Sequence, residues 1–483
     1  ANMGEDFKEA VTIYKEESHA SSESVKSYWN AIQKRESLKA ITLTWKTEVV
    51  QNNQMFGCFT LDGETTEESL LTINKKDMKL HSWIRRAASK VTIAYDGSDL
   101  KENVYIYLKS VQIKHILFFI ESFSGGGAEK VLLTILRHLN YHRFEVTVLV
   151  MNDVGALYCD FHRLPVRIVS VIPIGDGLWA KLKYKLIYRW LPIWLVAKWV
   201  VPQLGIDMYV AFVEGVCTKL LASLHRVKKV AWVHSDLIQL PWTLEKGIYQ
   251  NREKEIKAYK QFDKVICVSH SVERMMCEHY GLEKVCTIYN PIDESDIEKK
   301  KKLPCTIEVD ENVFNIVAIG RLTRPKGFDH LLPIVKKLMQ EEVKFKVYIL
   351  GEGEERKALE RQQHELRLDD VVSMPGFIAN PYSILKNMQL LVCPSIAEGY
   401  SLVIAEALYL GVPVISMDCS GPSELLEKER FGELCSDWEH FYSAIKRAMV
   451  EKNYFIDLQQ RAVQRKSFFS TLQTVKEIEN LLG

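Results

Sequence analysis

The sequence predicts an α/β protein: two doubly wound Rossmann-like domains facing a cleft, preceded by an extra α+β or β-rich module. Three observations carry this. Twice along the chain, from Lys114 to Ser269 and from Phe314 to Met417, short apolar runs alternate with helical stretches. Runs that are apolar throughout, with no alternating polar face, suit parallel strands covered on both sides. In each block the first strand enters a turn rich in glycine or cations and then a helix. Finally, 483 residues exceed what one typical core organises, so two or three domains are expected.

Composition narrows the classes. With 47% apolar and 26% charged residues the chain is ordinary globular, neither fibrous nor disordered. Lys and Arg number 63 against 62 Asp and Glu. That balance argues against nucleic acid as a partner, which selects a strongly basic face. Ten cysteines are scattered, some inside apolar runs (Cys267, Cys393), with no CxxC pair or zinc-spaced Cys/His cluster. They read as reduced core thiols of a cytoplasmic protein. Ala1–Ser21 is acidic and polar, unlike a signal peptide, and no apolar run reaches the roughly 20 residues of a spanning helix.

Residues 1–112 form the accessory module. Ser21–Arg35 has helical spacing in Val25, Tyr28, Trp29 and Ile32. Ala40–Val50, Met55–Leu61, Val91–Tyr95 and Val104–Leu108 are β-rich runs between turn residues. No motif here points to chemistry. Acceptor binding, self-association and a passive extension all stay open.

Residues 113–290 form the first Rossmann-like domain. Lys114–Ile120 is a buried-strand run, followed by Ser124-Gly125-Gly126-Gly127-Ala128-Glu129-Lys130 and a helix carrying Val131, Leu132, Ile135 and Leu136. A glycine-rich strand-to-helix turn brings backbone close to a ligand and aims helix N–H groups at it; a simple tight turn explains it equally well. Strands are expected at Glu145–Val150, Val166–Val171, Asp207–Phe212, Lys229–His234 and Lys264–Ser269. Leu178–Leu204 interleaves Trp179, Trp190, Trp194 and Trp199 with Lys181, Lys183, Lys185, Arg189 and Lys198. That mixture suits an anionic membrane interface, or equally a Trp-rich helix covering the sheet with lysines in solvent. His234 closes a strand.

Pro291 opens a linker, residues 291–312, in which Glu294–Lys302 reads as a charged, solvated connector. Residues 313–455 form the second Rossmann-like domain. Its first strand, Phe314–Ile319, leads into Gly320-Arg321-Leu322-Thr323-Arg324-Pro325-Lys326-Gly327 and a helix aligned on Phe328, Leu331, Leu332 and Val335. Arg321 and Lys326 lie at the strand's C-terminal edge, where open α/β sheets bind ligands, and both can neutralise phosphate oxygens, although read alone two solvated surface cations are the more ordinary account. Gly351-Glu352-Gly353-Glu354 lacks the third glycine of a dinucleotide loop, so no NAD site is expected. The tail, residues 456–483, reads as a helix crossing back to the first domain.

The second domain centres on Pro394-Ser395-Ile396-Ala397-Glu398-Gly399-Tyr400-Ser401-Leu402, which opens a helix carrying Glu406 about two turns in. Orphan N–H groups and the dipole at that helix start suit a diphosphate, and Glu406 can accept from two ribose hydroxyls. Glu398 and Glu406, with seven residues between them, resemble the E-x7-E signature of family 4 retaining glycosyltransferases, which have the GT-B architecture. The glycine loop, His234, Val268–Ser271, Asn290-Pro291-Ile292-Asp293, the Arg321–Lys326 loop and Asp418–Glu424 resemble that family's motifs in the same order, over about Ile113 to Leu482. Two departures are Tyr400, where Phe is commoner, and Ser420, which replaces a glycine.

The resemblance implies a UDP-sugar donor, retention at the anomeric carbon, and no cofactor. It places Glu398, His234, Arg321 and Lys326 as catalytic residues. Gly126, Gly127, Arg321, Lys326, Phe377, Glu398, Gly399, Tyr400, Ser401, Leu402 and Glu406 would bind the donor. No D-x-D triplet occurs, so no metal site is expected; the two cations and the helix near Ser401 would offset leaving-group charge. The implied acceptor is lipid-linked or polysaccharide, at the inner membrane face. Two alternatives are a non-catalytic subunit of the same fold and a UDP-N-acetylglucosamine 2-epimerase. Retention of all four charged residues disfavours the first, and the E-x7-E spacing the second.

Overall fold

The computed structural model describes residues 113–141, 143–172, 192–202 and 205–483 and, within residues 1–112, the backbone of six strands. The chain divides into two compact units, residues 1–114 with 140–145 and residues 115–139 with 146–483.

The six N-terminal strands form one antiparallel sheet. Its order is Val11–Thr12, Tyr105–Tyr107, Lys90–Tyr95, Lys39–Gln51, Gln54–Leu61 and Ser69–Ile73. Lys39–Gln51 and Gln54–Leu61 make a tight hairpin with Gln51 opposite Gln54. The four β-rich runs of the sequence coincide with four of these strands, and Val11–Thr12 and Ser69–Ile73 are additional. The helix expected at Ser21–Arg35 lies outside the described residues.

The second unit holds two parallel sheets. The first runs Val285–Thr287, Lys264–Cys267, Lys229–Val233, Met208–Ala211, Lys114–Ser122, Phe144–Asn152 and Arg167–Ile172. Numbered along the chain from Lys114–Ser122, the order is 7-6-5-4-1-2-3, so the winding reverses between Lys114–Ser122 and Met208–Ala211. The second runs Val372–Gly376, Phe345–Leu350, Phe314–Ile319, Leu390–Cys393, Val414–Met417 and Glu433–Cys435, reversing between Phe314–Ile319 and Leu390–Cys393. Such reversals part the loops that follow the two central strands and open a crevice at their C-terminal ends.

Burial follows the strand period. Ile316, Ala318, Val347, Ile349, Leu390 and Val392 join the core on one face of the second sheet. Their neighbours Val317, Tyr348, Leu350, Leu391 and Cys393 join the core on the other. Covering both faces is what the uninterrupted apolar runs require. Each such side chain contributes roughly 1.5–3 kcal/mol by leaving water.

The linker differs from its reading as a solvated connector. Glu294–Lys300 is a helix capped by the Asp293 carboxylate, which accepts from the Asp296 N–H at 3.0 Å. Glu294 and Asp296 in its first turn and Lys299 and Lys300 in its last complement the dipole, while Ile297 is fully buried. The tail is two helices, Lys452–Arg465 and Thr471–Leu482. The first packs on Leu402–Leu410, and the second on Gly127–His138 beneath the other sheet. The backbone N–H of Thr471 also donates to the Glu294 carboxylate, tying this tail to the linker.

Candidate active site

The crevices of the two parallel sheets face each other. On the second sheet's side, the loops after Phe314–Ile319 and Leu390–Cys393 are locked together by backbone. The Ile396 N–H donates to the Pro325 carbonyl at 2.9 Å. Gly327 stands at φ +66°, and a Cβ there would lie 2.1 Å from the Pro394 carbonyl oxygen, so only glycine allows this approach. The result brings the Lys326 ammonium to 2.7 Å from Glu398 Oε1. Burial works to lower the Lys326 ammonium, but the Glu398 charge and hydrogen bond outweigh it and hold it above the ordinary lysine range.

Glu398 is fixed from behind. Its carbonyl accepts from the Gly421 N–H at 2.8 Å and from the Ser420 hydroxyl at 3.2 Å. Ser420, a departure from the family pattern, thus supplies a donor that glycine lacks.

The helix after this loop is Leu402–Leu410, capped by Ser401, whose buried Oγ accepts from the Ile404 N–H, and ended by Gly411 in the left-handed region. It is buried from Ile404 through Tyr409, because the Lys452–Arg465 helix packs on its outer face. Its first turn leaves the Leu402 and Val403 N–H groups at the crevice. Glu406 is 3% exposed. Its Oε1 takes the Lys130 ammonium at 2.5 Å and the Tyr382 hydroxyl at 3.1 Å.

From the first sheet's side come the glycine loop and the His234 turn. A Cβ on Gly126 would sit 2.7 Å from Arg321 Nη2, and one on Gly127 would touch Leu402 Cδ1 at 3.7 Å. A Cβ on Gly125 would touch the Phe377 ring at 3.9 Å, and Phe377 itself is 52% exposed. A Cβ on Gly399 would fall 2.2 Å from the His234 carbonyl oxygen. Glycine at 399 therefore seats the catalytic-loop candidate directly on the first domain.

His234 Nε2 lies 2.9 Å from the Phe212 carbonyl, which can only accept, so Nε2 carries the proton and Nδ1 the lone pair. Burial lowers its pKa to about 4 against the opposing pull of that carbonyl, so the ring is neutral near pH 7.

The structure thus brings together Arg321, Lys326, Glu398, Gly399, Ser401, Leu402, Glu406, Gly126, Gly127, Phe377 and His234. Tyr400 it does not. The Tyr400 ring turns to Tyr289, 6.0 Å between centroids, and lines a cavity of about 100 Å³ with Asn290, Glu424, Arg465 and Phe468.

Sequence reasoning missed Glu214, Lys130 and Tyr382. Glu214 follows Met208–Ala211, the strand across the switch point from the glycine loop, and accepts from the His234 and Ser235 N–H groups, both at 2.7 Å. Desolvation raises its pKa to about 7, against those hydrogen bonds. Lys130 had a legible signal: a cation one turn into the helix behind a glycine loop.

Residues 125–296 match the sequence profile described as Glycosyltransferase Family 4, and residues 313–451 that described as Glycosyl transferases group 1. The chain belongs to glycosyltransferase family 4. This glycosyltransferase is 28% identical over 337 residues to the Campylobacter jejuni protein named N-acetylgalactosamine-N,N'-diacetylbacillosaminyl-diphospho-undecaprenol 4-alpha-N-acetylgalactosaminyltransferase, covering 65% of this chain and 84% of that one. Against a Methanocaldococcus jannaschii glycosyltransferase it is 30% identical over 214 residues, 42% of this chain. That alignment spans only 51% of the archaeal relative's length. The solved structure of Anabaena HepE in complex with UDP and glucose superposes with a TM-score of 0.58 at 20% identity, over 76% of this chain and 99% of that one. TarM of S. aureus superposes at 0.61 and 13% identity, over 77% and 100%. These likenesses, with the two switch-point sheets, make the fold GT-B. Among the described residues, no helix of the glycosyltransferase is long and apolar enough to cross a membrane.

Proposed function

We propose that the enzyme moves a hexose or N-acetylhexosamine from a UDP-sugar to a lipid-linked or polysaccharide acceptor, with retention and without a divalent metal or other cofactor. The observation carrying this is the convergence of Arg321, Lys326, Glu398 and the Leu402 helix start on one crevice, facing the glycine loop. Arg321, Lys326 and the free N–H groups would take the diphosphate, Glu406 the ribose and Glu398 the sugar. The C1–O bond to the diphosphate breaks as the acceptor oxygen bonds C1 on the same face, and the acceptor's proton passes to the departing phosphate oxygen. Preorganised positive charge at that oxygen is worth a factor of roughly 10²–10³ per donor removed. His234, neutral and holding an acceptor at Nδ1, supplies orientation rather than charge. The name of the Campylobacter relative and the UDP and glucose bound to HepE support the choice of donor and acceptor class.

A panel of nucleotide sugars scored by nucleotide release without acceptor, in EDTA, tests this. Release from a UDP-sugar that falls at least a hundredfold in Lys326→Ala supports it. Undiminished turnover in that variant, or a demand for metal, defeats it.

A cytoplasmic enzyme working on the inner membrane face is part of the same reading. Helix Ile193–Val200 presents Trp194, Leu195 and Trp199 at 47%, 40% and 65% exposure, with the Lys198 ammonium 5.6 Å from the Trp194 ring. Trp179, Trp190, Lys181, Lys183, Lys185 and Arg189, which complete the pattern in the sequence, lie outside the described residues. Trp199→Glu is expected to lose cosedimentation with anionic vesicles; equal partitioning of variant and parent rejects docking.

A further inference from the structure

Glu406, the proposed ribose acceptor, is held by two domains at once. Lys130 comes from the helix Gly127–His138 behind the glycine loop, and Tyr382 from the short helix Tyr382–Leu385 of the second sheet's domain. Both reach the same oxygen, Oε1. The Lys130 ammonium also lies 4.9 Å from the Tyr382 ring centroid, so the three side chains form one cluster. Tyr382 is 2% exposed, and burial followed by the Glu406 charge raises its hydroxyl well above the tyrosine range. It is therefore a fixed proton donor. Among the described residues Oε2 has no hydrogen-bond partner, and it is not one of the buried unsatisfied atoms. One oxygen is anchored, then, and the other accepts no hydrogen bond among the described residues.

We infer that Lys130 and Tyr382 are positioning residues for nucleotide recognition: by pinning Oε1 of Glu406 they present Oε2 to the vicinal hydroxyls of the donor's ribose. This rests on the donor reading above. Burying a carboxylate to 3% exposure is costly unless a cation pairs with it, and the cation here arrives from the opposite domain. The ribose acceptor is complete only with the two domains together, which couples nucleotide binding to the closed arrangement. Both anchors lie on one oxygen, so the pair need not break for a diol to bind the other.

The test is calorimetric titration of the full chain with UDP and with 2′,3′-dideoxy-UDP. The parent is expected to prefer UDP by about tenfold or more, as hydrogen bonds to a charged acceptor allow. In Lys130→Met and in Tyr382→Phe that ratio should fall toward one, mainly through weaker UDP binding, and the donor KM should rise more than kcat falls. Lys130→Arg should restore most of the preference, which a merely structural role would not require. If Lys130→Met fails to fold, Tyr382→Phe and Lys130→Arg carry the test by the same ratio. A Lys130→Met protein that binds UDP as tightly as the parent or tighter makes the pair a competitor of nucleotide, and overturns the inference. So does a ratio unchanged in all three variants. A parent chain that binds neither nucleotide overturns the donor reading and takes this inference with it.

Discussion

The crevice edges of the two parallel sheets share one winding and present opposite chemistry. At the first sheet the polar groups look inward: Glu214 accepts two backbone N–H groups, the His234 ring donates to a backbone carbonyl, and the loop proposed to meet the ligand is glycine. At the second, charges line the crevice: Lys326 against Glu398, Glu406 on the helix that follows, and Arg321 reaching the opposite glycine loop. Apart from Lys130, which crosses to Glu406, the first edge works by shape and close approach and the second by charge. A diphosphate needs the second. A neutral hydroxyl acceptor, brought close to a reacting carbon, needs the first.

Two glycines break or sharpen that division, and they should give the largest effects. Gly327 serves an approach inside one domain, Gly399 an approach between domains. Gly399→Ala places a methyl 2.2 Å from the His234 carbonyl, a clash the domains can relieve by parting. We expect kcat/KM to fall about a hundredfold, as an ångström of misplacement does, with little change in Tm. Gly327→Ala has no such escape, because its Pro394 contact lies within one fold and its φ is +66°. It should cost stability first, about 1–3 kcal/mol by overpacking. Thermal melts beside kinetics separate the two, and equal Tm losses would erase the distinction.

The next effect concerns Glu214. Its pKa, raised from 4.5 to about 7 by burial, means the folded chain favours the protonated form. The contribution is fully present below pH 4.5 and is lost as pH rises through 7. A shift of that size corresponds to on the order of 3 kcal/mol. Glu214→Gln cannot ionise, so its unfolding free energy should decline less than the parent's between those pH values. Parallel pH dependences would show that Glu214 is not the inward-facing, desolvated group described.

That contrast also explains what the sequence made legible. Strands covered on both faces are written as unbroken apolar runs, so both sheets could be read from Lys114–Ile120 or Phe314–Ile319 alone. Arg321, Lys326, Glu398 and Glu406 stood out through their resemblance to the family's motifs, since a glutamate before a helix is more often a solvated cap and two cations in a loop are ordinary surface charges. Glu214 gave no such signal, since its role depends on a turn twenty residues away that only the parallel pairing of Met208–Ala211 with Lys229–Val233 brings within reach. Tyr382 likewise reads as one more apolar residue of a short helix. The linker helix was hidden by its charges, which look solvated until Asp293 is seen as a cap and Ile297 as its buried contact.

Tyr400 should give the smallest effect, and it is the residue on which resemblance and geometry part. Motif reading puts it among the donor-binding residues; the structure turns its ring to Tyr289 and the cavity lined by Asn290 and Arg465. Family members commonly carry Phe at this place, which fits a ring used for packing beside the linker. Tyr400→Phe keeps that packing and removes only a hydroxyl that burial holds protonated. Its kcat/KM should stay within about threefold of the parent, since a hydrogen bond of ordinary worth is the most it can lose. A loss of a hundredfold would mean the hydroxyl reaches substrate during turnover, and the crevice-lining set at the second sheet would gain a member that the folded chain keeps turned away.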